Sequence, residues 1–155
     1  MAALAEWLGA WPGAVLLQRS GTAYLLVNAG HVLGLGLLLG AILPLDLRLV
    51  LGRQTALLPL IAPVLIRTAA SGLALALATG LWLFSVKPSD YLGNAAFVAK
   101  IALLAAALAN IALQHRWLGE ALAATTMPLK VRLLAGVSAA LWLSVLVAGR
   151  WIGFL

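Results

Sequence analysis

The sequence predicts an all-α integral membrane protein, an up-and-down bundle of four transmembrane helices preceded by a short N-terminal interfacial helix. Of its 155 residues, 65% are hydrophobic and 9% are charged, whereas a soluble domain carries about 25% charged residues. Such a chain cannot cover a water-facing surface, so we expect lipid to surround much of it. Four apolar segments each reach the roughly 20 residues that a membrane span needs, and the short loops between them favour antiparallel neighbours.

The first 19 residues are expected to form the interfacial helix. They contain Trp7, Trp11 and Pro12 and end in Gln18 and Arg19, but they lack the basic start of a secretory signal peptide. Apolar residues combined with two tryptophans are typical of a helix that lies in the plane of the membrane surface.

A single transmembrane domain over 1–155 follows from the spacing of the apolar segments. Pro44 and the polar pair Asp46 and Arg48 are expected to close the first span, with an interfacial ion pair between the two charged residues. A turn at 87–90 is expected to separate the second span from the third. The predicted spans cover about 23–45, 58–86, 94–113 and 131–154.

Basic residues near the span ends predict the orientation. One side holds five of them, Arg48, Arg53, Arg116, Lys130 and Arg132, and the other holds three, Arg19, Lys87 and Arg150. The positive-inside rule therefore places both termini in the periplasm of a bacterial inner membrane. Because the basic residues are scattered singly, they favour contact with lipid headgroups and not with nucleic acid.

Small residues recur at helical spacing in the first two spans. Gly30 and Gly34 are four residues apart, and Gly72, Ala76 and Gly80 follow the same spacing in span two. In lipid, such faces allow two helix backbones to approach closely. They predict helix packing within the bundle, and they fit a homo-oligomer equally well.

Ionisable residues within spans usually mark function, because burying them in lipid is costly. His31 in the first span is the leading candidate, with Asn28 and Gly34 on the same helix face. It is either a neutral histidine bonded to a neighbouring helix or a metal ligand, and imidazole suits heme iron. In the second reading, Gly34 leaves space for the edge of a porphyrin.

The other polar residues within spans are Arg67, Lys100 and Asn110. Each of the two basic side chains either extends to the lipid headgroups or faces inward toward an anion such as a heme propionate. The second histidine, His115, lies about 13 Å from His31 along the membrane normal at 1.5 Å per residue. A heme with two histidine ligands is therefore excluded.

Several stretches resemble a family of small bacterial four-helix membrane proteins known mainly as a domain of unknown function. They include His31 to Gly34, Thr79 to Phe84, Phe97 with Lys100, and Gly149 to Ile152. More distantly, the pattern is similar to the CopD-type copper-resistance proteins and to the HemJ-type protoporphyrinogen oxidases. The HemJ resemblance implies heme b, with His31 and Lys100 as the corresponding residues. The absence of methionine-rich and histidine-rich stretches argues against copper handling.

Two hypotheses follow. In the first, the chain is a b-type heme protein in which His31 binds the metal as the axial ligand. It would act as a membrane oxidoreductase with a quinone, a porphyrin or a redox partner protein. In the second, it is a non-enzymatic membrane subunit or a permease for small solutes or metals, with His31, Lys100 and Asn110 in one buried polar network. The sequence lacks cysteine, which excludes thiolate metal sites and disulfides.

Overall fold

The computed structural model describes residues 2–52, 58–123 and 126–154, and the regular elements in these ranges are all helices. Four of the helices described are long and apolar enough to cross a membrane, so the predicted all-helical membrane class is confirmed. The elements are α1 (Ala2–Ala10), α2 (Pro12–Arg19), α3 (Gly21–Val50), α4 (Leu58–Phe84), α5 (Pro88–Gly93), α6 (Ala95–Ala123) and α7 (Leu129–Trp151), followed by a 3₁₀ turn (Ile152–Phe154).

Helix α3 continues past the predicted end of the first span. Pro44 removes one backbone hydrogen bond, yet the helix runs on to Val50, as membrane helices often do when neighbouring helices support them. Asp46 is consequently fully buried, and no ion pair joins it to Arg48 within the described residues. Side chains two positions apart on a helix point in different directions, so the expected interfacial pair does not form. Arg53, counted in the first basic loop, lies outside the described residues.

The connection after α4 is partly helical, and the N-terminal segment packs beside it. Residues 88–93 form α5 where a turn was expected. Helices α1 and α2 are separated at Trp11, whose extended backbone precedes Pro12. The Trp11 indole donates to Ser85 Oγ at 3.0 Å, and the Trp82 indole donates to the Gly13 carbonyl at 3.0 Å. These bonds hold the N-terminal helices against one end of α4.

Helices α3 and α4 cross in direct backbone contact at two glycines. A Cβ built on Gly72 would lie 2.5 Å from the Leu38 nitrogen and 2.6 Å from the Gly34 oxygen, and one on Gly34 would lie 2.7 Å from the Ala76 nitrogen. The spacing of the small residues thus corresponds to a close approach of the α3 and α4 backbones at this crossing. Gly36, on another side of α3, has nothing within 4 Å.

The four long helices are arranged so that α3 and α7 are neighbours, with α4 packed on α3 and α6 packed on α7. Asn110 of α6 donates to the Leu134 carbonyl of α7 at 3.1 Å. Helices α4 and α6 make few close backbone contacts in the described part of the chain. This leaves a groove between them, and the site described next lies in it.

Candidate functional site

His31 is held in one orientation by α4. Its Nδ1 lies 2.9 Å from the Ala76 carbonyl and 3.1 Å from Thr79 Oγ1. A carbonyl can only accept, so Nδ1 carries the proton and donates it to Ala76. The Thr79 hydroxyl donates to the Leu75 carbonyl at 2.6 Å. In this tautomer Nε2 keeps its lone pair, and among the described residues it has no hydrogen-bond partner.

A glycine on α4 makes room for the imidazole ring. A Cβ built on Gly80 would lie 3.0 Å from His31 Cε1 and 3.4 Å from Nδ1. Any larger residue would push the ring away from α4 and from the Ala76 carbonyl. Gly80 is therefore part of what positions His31.

The His31 ring lines a cavity of about 340 Å³ to which all four long helices contribute. Its walls are apolar apart from His31, Lys100 and the indole of Trp142. The cavity lies in the groove between α4 and α6, and its volume is within the 300–1,000 Å³ that is typical of ligand sites. We call it the central cavity.

A smaller, more polar cavity of about 220 Å³ adjoins the central cavity at the α5 end of the helices. The two share His31, Gly80, Phe84, Phe97 and Lys100. The smaller one, which we call the vestibule, adds four polar side chains: Tyr24, Asn28, Tyr91 and Arg150. The apolar central cavity and the adjoining vestibule, with its basic and hydroxyl-bearing side chains, together suit an amphiphilic anion.

Three aromatic rings lie between the vestibule and the groove. Phe84 of α4 stacks on Phe97 of α6 with ring centroids 5.3 Å apart, and Tyr91 lies 5.4 Å from Phe97 and 6.0 Å from Phe84. Burial, together with the neighbouring Tyr24, raises the pKa of the Tyr91 phenol. Tyr91 therefore presents a neutral hydroxyl at the vestibule.

Lys100 faces the interior of the helix assembly. Its side chain lies along α7, where a Cβ built on Gly149 would be 3.4 Å from both Cε and Nζ. It lines the central cavity and the vestibule. Of the two expectations for Lys100, the structure agrees with the inward-facing one.

The structure brings together only part of the predicted set. His31, Lys100 and Asn28 share the vestibule, whereas Gly34 lies at the α3–α4 crossing, and Gly80 provides the space near the imidazole. Arg67 is exposed and lines neither cavity. Asn110 is bonded to α7, so it forms no network with His31 and Lys100 in the described residues.

Sequence reasoning did not identify Gly80, Arg150, Trp142 and Tyr24 as site residues. Gly80 lies about one helical turn beyond Ala76 and was interpreted only as a packing residue. Arg150 was counted only as an orientation signal. One signal in the sequence could have identified Arg150 as a site residue. It lies at the same predicted membrane surface as the start of the third span, which contains Lys100.

Comparison with known proteins identifies a family. The model for the family of unknown function DUF6644 matches residues 10–155, which is nearly the whole chain, and the chain belongs to this family. No curated protein and no solved structure matches it.

Proposed function

We propose that this member of the family is a b-type heme protein in which His31 is the axial ligand of the iron. The observation that carries the proposal is the contact between His31 Nδ1 and the Ala76 carbonyl, which assigns the ring proton to Nδ1. Metal-binding histidines usually donate their second ring N–H to a carbonyl or carboxylate, which fixes the ring and makes the ligating nitrogen more basic. The bond from Nδ1 to the Ala76 carbonyl at 2.9 Å meets that pattern and leaves Nε2 for the iron.

The lining residues of the two cavities support heme over a metal ion alone. Among the described residues no group of three histidine, aspartate or glutamate side chains could hold a bare metal. The central cavity offers apolar walls for a macrocycle. The vestibule offers Lys100 and Arg150 for its carboxylates, with the hydroxyls of Tyr24 and Tyr91 as further donors.

Each residue would have a separate task. His31 would hold the iron, and Ala76 and Thr79 fix the imidazole. Lys100 and Arg150 would bind the propionates. Heme supplies one-electron redox chemistry when bound.

The redox role is also part of the proposal. His115 lies on a different cavity, away from His31, so His31 is the histidine that would hold the heme. A quinone, a porphyrin or a partner protein would be the reaction partner. The correspondence of His31 and Lys100 to residues of the HemJ-type proteins is also part of this proposal. The family assignment itself implies no activity.

The proposal includes the placement in the membrane. The up-and-down bundle would lie in a bacterial inner membrane with both termini in the periplasm, and α1 and α2 would lie at that surface. The tryptophans at this end, Trp7, Trp11 and Trp82, suit the membrane–water interface. The vestibule would then open toward the periplasm.

The test is an optical absorption spectrum of the protein purified in mild detergent, first oxidised and then reduced with dithionite. We expect a Soret band and, after reduction, distinct α and β bands. A colourless protein, even when hemin is supplied during expression, would contradict the proposal. That result would favour the alternative of a membrane subunit or permease without a cofactor.

The cationic vestibule gives a second prediction. We expect Lys100→Met to weaken hemin binding about tenfold or more, because a hydrogen bond to a charged group contributes about 1.5–3 kcal/mol. The measurement is a hemin titration of the apoprotein in detergent. Lys87→Met, which removes a lysine that is exposed beside α5, is the matched control and should leave the affinity unchanged. Equal affinities for both variants would exclude Lys100 as a propionate partner.

A further inference from the structure

A second polar cluster lies inside the helices, at the end remote from the vestibule. Asp46 of α3 is 0% exposed and Ser138 of α7 is 1% exposed. Both Asp46 carboxyl oxygens, Ser138 Oγ, Gln114 Nε2 and Trp142 Nε1 are buried without a hydrogen-bond partner in the described part of the chain. Native proteins rarely leave buried polar atoms unpaired, and a cluster of them indicates a bound water or ligand.

Two members of this cluster face the Asp46 carboxyl. The side chains of Ser138 and Gln114 are the polar groups directed at the Asp46 carboxyl, although neither forms a hydrogen bond of good geometry with it. Polar groups that face each other without direct bonding are commonly bridged by water. The amide of Gln114, the hydroxyl of Ser138 and the indole of Trp142 can all donate, and the carboxyl can accept.

The chemistry of these donors decides which ligand fits. A metal cation would be repelled by the N–H groups of Gln114, and among the described residues the cluster has too few acidic or histidine ligands for one. No lysine or arginine forms an ion pair with Asp46 in the described ranges. A carboxylate without a cation is costly in such surroundings, and binding a proton removes that cost.

We propose that Asp46, Ser138 and Gln114 form a hydrated site that binds an exchangeable proton. This site is separate from the heme site, and the proposal does not depend on heme being bound.

Gln114 connects the proton site to a third cavity. Gln114 lines this cavity of about 150 Å³, and His115 is the one titratable side chain among the described residues of its lining. The walls that α4 contributes to this cavity, Ile66, Ala69, Ala70 and Leu73, are apolar. Leu38, Leu73 and Trp142 each line both this cavity and the central cavity.

Infrared spectroscopy tests the proposal, because a protonated carboxyl has a C=O band distinct from the bands of a carboxylate. The chain has two aspartates, Asp46 and Asp90. Carboxyl-¹³C aspartate incorporated into the Asp90→Asn variant therefore labels Asp46 alone. We expect an acid C=O band that moves to lower wavenumber with the label and again on transfer to D₂O. A label found only in carboxylate bands, or an acid band unchanged in D₂O, would overturn the proposal.

Two further variants in the Asp90→Asn background complete the experiment. Asp46→Asn has no aspartate left and should lose the labelled band entirely. Ser138→Ala should keep the band but move it to higher wavenumber, because the water-mediated hydrogen bond between the Ser138 hydroxyl and the carboxyl group is lost. An unshifted band in Ser138→Ala would remove Ser138 from the site. All spectra are recorded without added hemin, so the labelled band tests the proton site whatever the outcome of the heme experiment.

Discussion

Replacing His31 with alanine is expected to abolish heme binding while the helices remain folded. The imidazole is the only histidine ring that lines the central cavity. Loss of an outer-shell partner alone typically lowers metal affinity about 10–100-fold, so loss of the ligand itself should lower hemin affinity by at least about 100-fold. The structural cost is small, because the variant loses hydrogen bonds worth about 1 kcal/mol each. The measurement is the ratio of Soret to protein absorbance after purification.

Two controls make this result specific to ligation. His115→Ala removes a histidine from another cavity and should retain full heme content. His31→Gly opens space beside Gly80, and added imidazole should restore a Soret band in that variant. If His31→Ala were purified with as much heme as the parent protein, His31 would not be the ligand.

The apolar pattern was sufficient to predict the helical class and the four membrane-length helices. Span length and composition are properties of the chain alone, so they can be read without knowing which helices touch. The inward direction of Lys100 could not be predicted in that way. It depends on Gly149 of α7, which lies 49 positions later in the sequence and offers a surface without a side chain.

Gly34 shows why helical spacing alone cannot identify the residue that leaves space beside His31. It is three residues from His31 and therefore near it on the helix, but that face of α3 turns toward α4. There Gly34 lies against the Ala76 backbone. The space beside the imidazole is provided by Gly80 instead, because α4 runs alongside His31 at that level. Which helix lies opposite a given face is a tertiary property, and the sequence does not state it.

Asp46 could have been placed correctly from the sequence. Leu38, Ile42, Leu45 and Leu49 are all buried, and their spacing of three to four residues continues through Pro44. Asp46 lies four residues after Ile42, so it belongs to the same buried face. The proline and the nearby Arg48 indicate the end of a span, but the periodicity of the buried residues passes through both.

The α3–α4 crossing gives the prediction with the largest effect on stability. We expect Gly72→Ala to lower the free energy of unfolding by about 1–3 kcal/mol, the usual cost of overpacking, because the added methyl group would lie 2.5–2.6 Å from backbone atoms of α3. Backbone atoms cannot rotate away as side chains do, so the helices must separate. The measurement is unfolding in mixed micelles of mild detergent and SDS, followed by circular dichroism.

Gly36→Ala is the matched control, since it adds the same methyl group to α3 where nothing lies within 4 Å. It should leave stability unchanged or raise it by up to about 1 kcal/mol, because alanine favours the helix over glycine. Equal stability of the two variants would mean that α3 and α4 do not touch at Gly72.

Separation of the helices would also displace the Ala76 carbonyl, one turn from Gly72, and with it the hydrogen-bond acceptor that holds His31. Gly72→Ala should therefore weaken hemin binding as well as the fold, whereas Gly36→Ala should weaken neither. This joint loss would tie the small-residue crossing to the geometry of the site.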